Sequence, residues 1–269
     1  MSNRIFDSHA HYDDLKFEGK ETELLKQIHS DNNVSLVCNV AADIDSCFSS
    51  QKLAESLDFV YFSAGVHPEN ANEELLKSDW ISKIELFAQH EKCVAIGEIG
   101  LDYYYEKETA EIQKHVFREQ MMLARKISKP VIVHNREAHA DSLQIVSEYP
   151  DVIGVFHCFS GSLETAKILL ESGWYLSFNG VLTFNNARKT VDVLKGICEY
   201  KDGLYMERLL VETDAPYLAP VPMRGKVNNS SYIAYTAQKA SDIVGISADE
   251  FCELTYRNAC KFYGLEKLI

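Results

Sequence analysis

Ile5-Phe6-Asp7-Ser8-His9-Ala10-His11 sets two histidines two residues apart. In an extended strand such residues share a face, so His9 and His11 point the same way, about 6–7 Å apart along the chain. Their imidazoles can converge on one metal ion. Alone, the pair is a weak signal and reads more readily as two histidines on a half-exposed edge strand. The same event recurs on later runs, however. Glu98 follows Val94-Ala95-Ile96-Gly97, His134 follows Val131-Ile132-Val133, His157 follows Val155-Phe156, and Asp214 follows Leu209-Leu210-Val211-Glu212-Thr213. Each has a plain alternative: a core histidine bonded to a carbonyl, an ion-paired glutamate, a turn-forming aspartate before Ala215-Pro216. Jointly, four imidazoles and two carboxylates with only Arg136 nearby in sequence are hard to bury without a cation. Six ligands exceed what one ion needs, so two ions sharing a carboxylate are expected.

The other histidines carry less. His29, His90, His115 and His139 fall in helical segments and read as surface or internally bonded residues. His67 ends an apolar run and precedes Pro68, which leaves it between a substrate contact and a loop element.

The elements that must position these side chains are short apolar runs alternating with segments of helical period. Eight runs stand out: Arg4 to His9, Ser35 to Ala41, Phe59 to Val66, Cys93 to Ile99, Pro130 to His134, Val152 to His157, Trp174 to Asn179, and Leu209 to Thr213. Several are apolar at consecutive positions, the pattern of parallel strands buried on both faces. Between them, Glu108 to Ser128 carries an apolar stripe at Ile112, Val116, Met122, Leu123 and Ile127. Ser162 to Ser172 stops at Gly173, and Ser247-Ala248-Asp249-Glu250 is a capping box that opens one of the extra C-terminal helices. Eight strand–helix units predict an α/β fold, a single (β/α)8 TIM barrel over residues 1–269. A doubly wound sheet is the competitor, but no glycine-rich dinucleotide turn follows the first run. In such barrels the active site lies where the strands end, which is where all six candidate ligands fall.

Composition narrows the class. A charge of 27 − 40 = −13 argues against broad electrostatic capture of nucleic acid, though bound divalent ions create a local positive spot. Seven scattered cysteines with no C-x-x-C pair predict reduced thiols and a cytoplasmic protein. The one early apolar run is broken by Asp7-Ser8-His9, so no leader is expected, and no apolar stretch is long enough to span a membrane.

Nearly end to end, the chain resembles the TatD-type metal-dependent deoxyribonucleases, within the wider amidohydrolase-like hydrolases. The resemblance rests on Asp7-Ser8-His9-Ala10-His11, Gly65-Val66-His67-Pro68 and the run from Ala95 to Tyr103. It continues through Pro130 to Ala138, Val155 to Gly161, and Glu212-Thr213-Asp214-Ala215-Pro216-Tyr217-Leu218. It implies that His9, His11, Glu98 and Asp214 hold one divalent ion and that Glu98, His134 and His157 hold the second, Glu98 bridging. Arg224-Gly225-Lys226 matches a basic element that meets substrate phosphate, and Arg136 and His67 are further substrate-contact candidates. Val227-Asn228-Asn229-Ser230-Ser231 departs from the more usual Arg-Asn-Glu-Pro stretch, and Asn135 stands where Ser is common.

The chemistry expected is hydrolysis by a water activated between two divalent ions, with Asp214 as general base and Glu98 in the same machinery. Magnesium is the first expectation, with zinc or manganese as alternatives. The resemblance implies 3′-to-5′ removal of nucleotides from single-stranded DNA by a monomer or weak oligomer. The main rival is a metal-dependent ester or amide hydrolase such as a D-aminoacyl-tRNA deacylase. Many amidohydrolases bridge their metals with a modified lysine, whereas the fourth run offers Glu98, with the nearest lysine, Lys92, before it. A non-enzymatic scaffold is the other rival, opposed by the cost of keeping a full ligand set buried.

Overall fold

The computed structural model describes residues 4–105 and 107–269. Eight parallel strands follow the sequence order in one sheet, β1 to β8, and the fold class is the (β/α)8 TIM barrel. In chain order the elements are β1 Ile5–Ala10, α1 Glu21–Asp31, β2 Val34–Val40, α2 Ile44–Ser56, β3 Val60–Ala64, α3 Glu73–Leu76, α4 Trp80–Ala88 and β4 Cys93–Asp102. There follow α5 Ala110–Ile127, β5 Val131–Arg136, α6 His139–Ser147, β6 Gly154–Phe156, α7 Leu163–Glu171, β7 Tyr175–Phe178, α8 Arg188–Glu199, β8 Leu209–Val211, α9 Ile233–Val244 and α10 Ala248–Phe262. All eight apolar runs became strands, because consecutive β-branched and aliphatic residues suit a backbone buried on both faces. Among the described residues no helix is long and apolar enough to cross a membrane.

The chain clusters into two compact units, one holding the segment up to Cys38 together with Cys158–Ile269, the other spanning Asn39–His157. In the first unit β1 lies parallel to the end of β8 through an Ala10–Ala215 bridge. The His11 amide donates to the Ala215 carbonyl (2.7 Å) and the Asp214 amide to the His9 carbonyl (2.9 Å). Behind these strands, α10 opens with the capping box Ser247/Glu250 that the sequence predicts. It is fixed to the start of β8 by Asn258, whose amide donates to the carbonyls of Met206 (2.8 Å) and Leu209 (2.9 Å). Tyr263, just past α10, donates to the Ser8 carbonyl (2.7 Å), so this helix sets the depth of the strand that carries His9.

In the second unit β4 is buried along its whole length and paired on both sides, by β3 and β5. It runs three residues beyond the Ile99 limit expected from sequence. The Gly100-Leu101-Asp102 segment continues to pair, Gly100 opposite His134 and Asp102 opposite Arg136. Gly100 makes that possible: it sits at φ +138°, and a Cβ there would lie 2.0 Å from the His134 carbonyl oxygen. Only glycine tolerates both the angle and the approach. The β4/β5 register shifts between Ile96 and Ile99, around Glu98, whose peptide bond to Gly97 is cis.

One helix stripe is corrected. On α5, Met122 is exposed, Ile112 and Ile127 are half-buried, and the buried face runs through Gln113, Val116, Phe117, Gln120, Met121, Leu123 and Ala124. The stripe includes two glutamines because both are bonded inward: Gln113 to the backbone of Asp102 and Gln120 to that of Val66. A reading based on apolarity alone finds Val116 and Leu123 but misses the two glutamines.

Candidate metal centres

Each unit gathers its own ligands. In the first, β1 carries His9, and His11 follows one residue past the strand end. Their Nε2 atoms face each other at 3.0 Å. Asp214 Oδ1 lies 3.7 Å from His9 Nε2 and 3.5 Å from His11 Nε2. Donors bound at about 2.0–2.1 Å to one ion in tetrahedral or octahedral geometry stand about 2.8–3.4 Å apart. The observed edges are close to that spacing. Two ring nitrogens at contact distance satisfy each other only if one is protonated, whereas a divalent cation accepts both lone pairs and the carboxylate. The three residues fit a metal ion.

Asp7 builds this geometry from behind. Its buried carboxylate accepts from the Thr213 amide (2.9 Å), the Thr213 hydroxyl (2.6 Å) and the Ser230 hydroxyl (2.6 Å). These bonds fix the residue next to Asp214, which itself adopts φ +57°. Burial raises the Asp7 carboxyl to about 6, against the opposing pull of the Ser230, Thr213 and His9 donors. Ser230 lies in the stretch that departs from the family pattern. Its amide also donates to the Tyr12 hydroxyl (2.8 Å), while the Asn228 side-chain amide donates to the Thr213 and Tyr217 carbonyls. The departure therefore serves as loop framework around Asp214.

In the second unit, Glu98 Oε1 is ringed by imidazoles: His157 Nε2 at 2.7 Å, His134 Nδ1 at 2.9 Å and His67 Nε2 at 3.5 Å. His134 Nδ1 and His157 Nε2 are 3.3 Å apart. These spacings again match donors shared around one ion. His67 takes the loop role that its sequence context left open, and it also faces Glu98. Its Nδ1 accepts from the Glu69 amide (3.2 Å) to cap the turn Pro68–Asn70, and its Nε2 faces Glu98.

Asp102 went unassigned in the sequence. It is fully buried at the end of β4, and its Oδ2 holds His134 Nε2 at 3.1 Å while Oδ1 accepts from the amides of Tyr104 (2.8 Å) and Tyr105 (2.9 Å). Desolvation opposes its ionisation, but the His134 bond and the two amides outweigh it and hold the carboxyl below its ordinary range. On the imidazole, burial works to lower the pKa and the Asp102 and Glu98 bonds overcome it, so His134 titrates above its ordinary value. A carboxylate on the far nitrogen fixes the ring so that Nδ1 points at the ligand cluster. The available signal was spacing: Asp102 is four residues from Glu98 and Asp7 two from His9, both on a ligand's face of the strand. Asp102→Asn is expected to weaken divalent binding at the Glu98–His134–His157 group about 10- to 100-fold without unfolding the protein. Metal titration against a competing chelator measures this, and an unchanged affinity would remove Asp102 from the role.

The remaining candidates lie on aromatic rings. The Arg136 guanidinium sits 4.0 Å from the Tyr104 ring centroid and 4.6 Å from that of Tyr105. That of Arg224 is 4.0 Å from the Phe184 ring, and it donates to the Ala219 carbonyl (3.1 Å). His29 bonds the Val34 carbonyl and His90 faces Glu55, which are structural roles of the kind expected; His90 stands just past the end of α4.

A family model described as TatD related DNase matches residues 6–264. A metal-dependent hydrolase of Bacillus subtilis, YabD, is 36% identical over 96% of this chain and 98% of its own length. YcfH of Escherichia coli, also named a metal-dependent hydrolase, is 36% identical over 97% of this chain and 96% of its own. Among solved structures, the TatD homologue YjjV of Escherichia coli superposes with a TM-score of 0.86 at 27% identity, covering 98% of this chain and 99% of that one. A sequence match of this extent, on a barrel that gathers histidines and carboxylates at its strand ends, places the chain in the TatD family of metal-dependent hydrolases.

Proposed function

We propose that this hydrolase is a deoxyribonuclease that removes nucleotides from the 3′ end of single-stranded DNA, using two divalent ions, magnesium first among them. The observation that carries the reading is the pair of ligand groups, His9–His11–Asp214 and Glu98–His134–His157, each with atoms spaced to share one cation. His9, His11 and Asp214 would hold one ion, and Glu98, His134 and His157 the other. When bound, such ions acidify a coordinated water and neutralise charge developing on a phosphoryl group. The residues do the rest. Asp214 takes the proton of the attacking water on a carboxylate oxygen. Asp7 fixes Thr213, the residue next to Asp214 in the chain, and Asp102 holds His134.

Charge favours a phosphodiester. Two ions bring +4 and the carboxylates Glu98, Asp214 and Asp102 bring −3, leaving about +1 in an otherwise acidic chain. Arg224, exposed and held by Phe184, adds a positive contact for the strand. Arg224→Ala is expected to raise KM roughly tenfold with kcat unchanged and to lower the salt dependence of binding by about one phosphate contact. Steady-state kinetics over a salt series test it, and an unaltered KM and slope would leave Arg224 as a loop residue.

The reading itself is tested by offering the metal-loaded protein single-stranded DNA labelled at the 3′ or the 5′ end, beside an aminoacyl ester. Progressive loss of the 3′ label is expected, with no ester turnover. Ester hydrolysis without strand shortening would reverse the assignment.

A further inference from the structure

Two tyrosines stand in solvent beside the second ligand group. Tyr104 is 56% exposed and Tyr105 60%, although most large rings in this chain are packed away. Their centroids are 4.7 Å apart with the rings edge to face, and the Arg136 guanidinium lies against both. Rings held this openly forgo burial that a folded chain otherwise secures.

What fixes them is a residue shared with the metal group. Asp102 accepts the Tyr104 and Tyr105 amides on Oδ1 and grips His134 Nε2 with Oδ2. One buried carboxylate thus sets the position of the aromatic pair against a metal-ligating imidazole. The Tyr103 amide adds a second tie, donating to the Arg136 carbonyl (3.0 Å). Arg136 lies two residues beyond His134 on β5, about 7 Å along the strand at the usual rise. A sugar spans such a distance between a phosphate and its base.

We propose that Tyr104, Tyr105 and Arg136 form a stacking platform for an unpaired nucleobase of the strand whose phosphate lies at the Glu98–His134–His157 group. This rests on the nuclease reading of that site and assigns it a single-stranded substrate recognised by its π-faces. Stacking on aromatic rings tolerates any base, and a guanidinium can add a cation–π contact and pair with the adjoining phosphate. A duplex keeps its bases stacked on one another and offers no face to the platform.

The test measures binding apart from turnover. The metal-loaded protein is titrated with a short single strand linked by phosphorothioates to slow cleavage, and with the same strand carrying abasic sugars. The parent is expected to prefer the base-bearing strand. Tyr104→Ala with Tyr105→Ala should raise the dissociation constant for that strand roughly 5- to 150-fold, since stacking is worth about 1–3 kcal/mol per base. The abasic strand should bind the variant as it binds the parent. Tyr104→Phe with Tyr105→Phe should keep the preference, because the rings remain. The proposal is overturned if the parent shows no preference, if the alanine variant keeps it, or if the phenylalanine variant loses it. Hydrolysis of the unmodified strand is scored separately. Cleavage without base preference sinks the platform alone, and base preference without cleavage sinks the nuclease reading alone.

Discussion

Asp214→Asn is expected to lower kcat by about 10²–10⁴ on single-stranded DNA at saturating metal. The amide keeps the size and shape of the carboxylate but cannot take a proton at neutral pH. The backbone should not object: Asp214 sits at φ +57°, a left-handed conformation that asparagine adopts as readily as aspartate. Its amide bond to the His9 carbonyl and the Thr213 anchor on Asp7 involve no atom that changes. The ion of the Glu98–His134–His157 group should stay. The ion shared with His9 and His11 loses a charged ligand and should weaken, which is why the rate must be read at saturating metal. A variant that recovers full turnover as metal is raised would show that Asp214 only holds the ion. One that stays slow with both ions bound assigns it the proton.

The strand ends were legible because burial and chemistry leave different marks on the sequence. Consecutive aliphatic residues announce a strand covered on both faces, and a histidine or carboxylate closing such a run has no apolar reason to be there. His9, His11, Glu98, His134, His157 and Asp214 all carried that mark, and the structure gathers them into two groups, three from each unit. The bonded supports did not carry it. Asp7 precedes the ligands inside an apolar strand, and Asp102 ends a segment, Gly100-Leu101-Asp102, whose glycine reads as a strand breaker. What Asp102 does depends on His134, which lies 32 positions away in sequence and arrives only through β4/β5 pairing. The same limit explains α5. Gln113 and Gln120 belong to the buried face because of carbonyls and amides on other elements, which helical period alone cannot reveal. It explains His67 as well, whose turn-capping nitrogen was legible from Pro68 and whose other nitrogen faces a residue 31 positions on.

Metal removal should abolish hydrolysis outright, and the Glu98→Gln variant should show whether the two ions are held together. Bound ions stabilise the folded state by mass action, about 2.7 kcal/mol for a ligand at one hundred times its dissociation constant. At about 2 °C per kcal/mol for a domain of this size, stripping both ions should cost about 11 °C of thermal midpoint, recovered on readdition. Glu98 is 3% exposed, with one oxygen within 2.9 Å of two imidazole nitrogens, so a glutamine there keeps the packing and removes the charge. If Glu98 bridges, elemental analysis of Glu98→Gln should find both ions depleted at metal concentrations that saturate the parent, with turnover lost by 10³ or more. If Glu98 serves one ion only, the group of His9, His11 and Asp214 keeps its metal, and half the stoichiometry survives. Stripped protein, free of metal by the same analysis, that still cleaves at the parent rate would end the metal-dependent mechanism altogether. The expected result is the loss of the ion held with His134 and His157, and the fate of the other ion decides whether Glu98 is shared. Glu98 is the one carboxylate in its cluster with three imidazoles turned toward a single oxygen, and a neutral amide there can offer an oxygen but cannot offset the charge of a divalent ion.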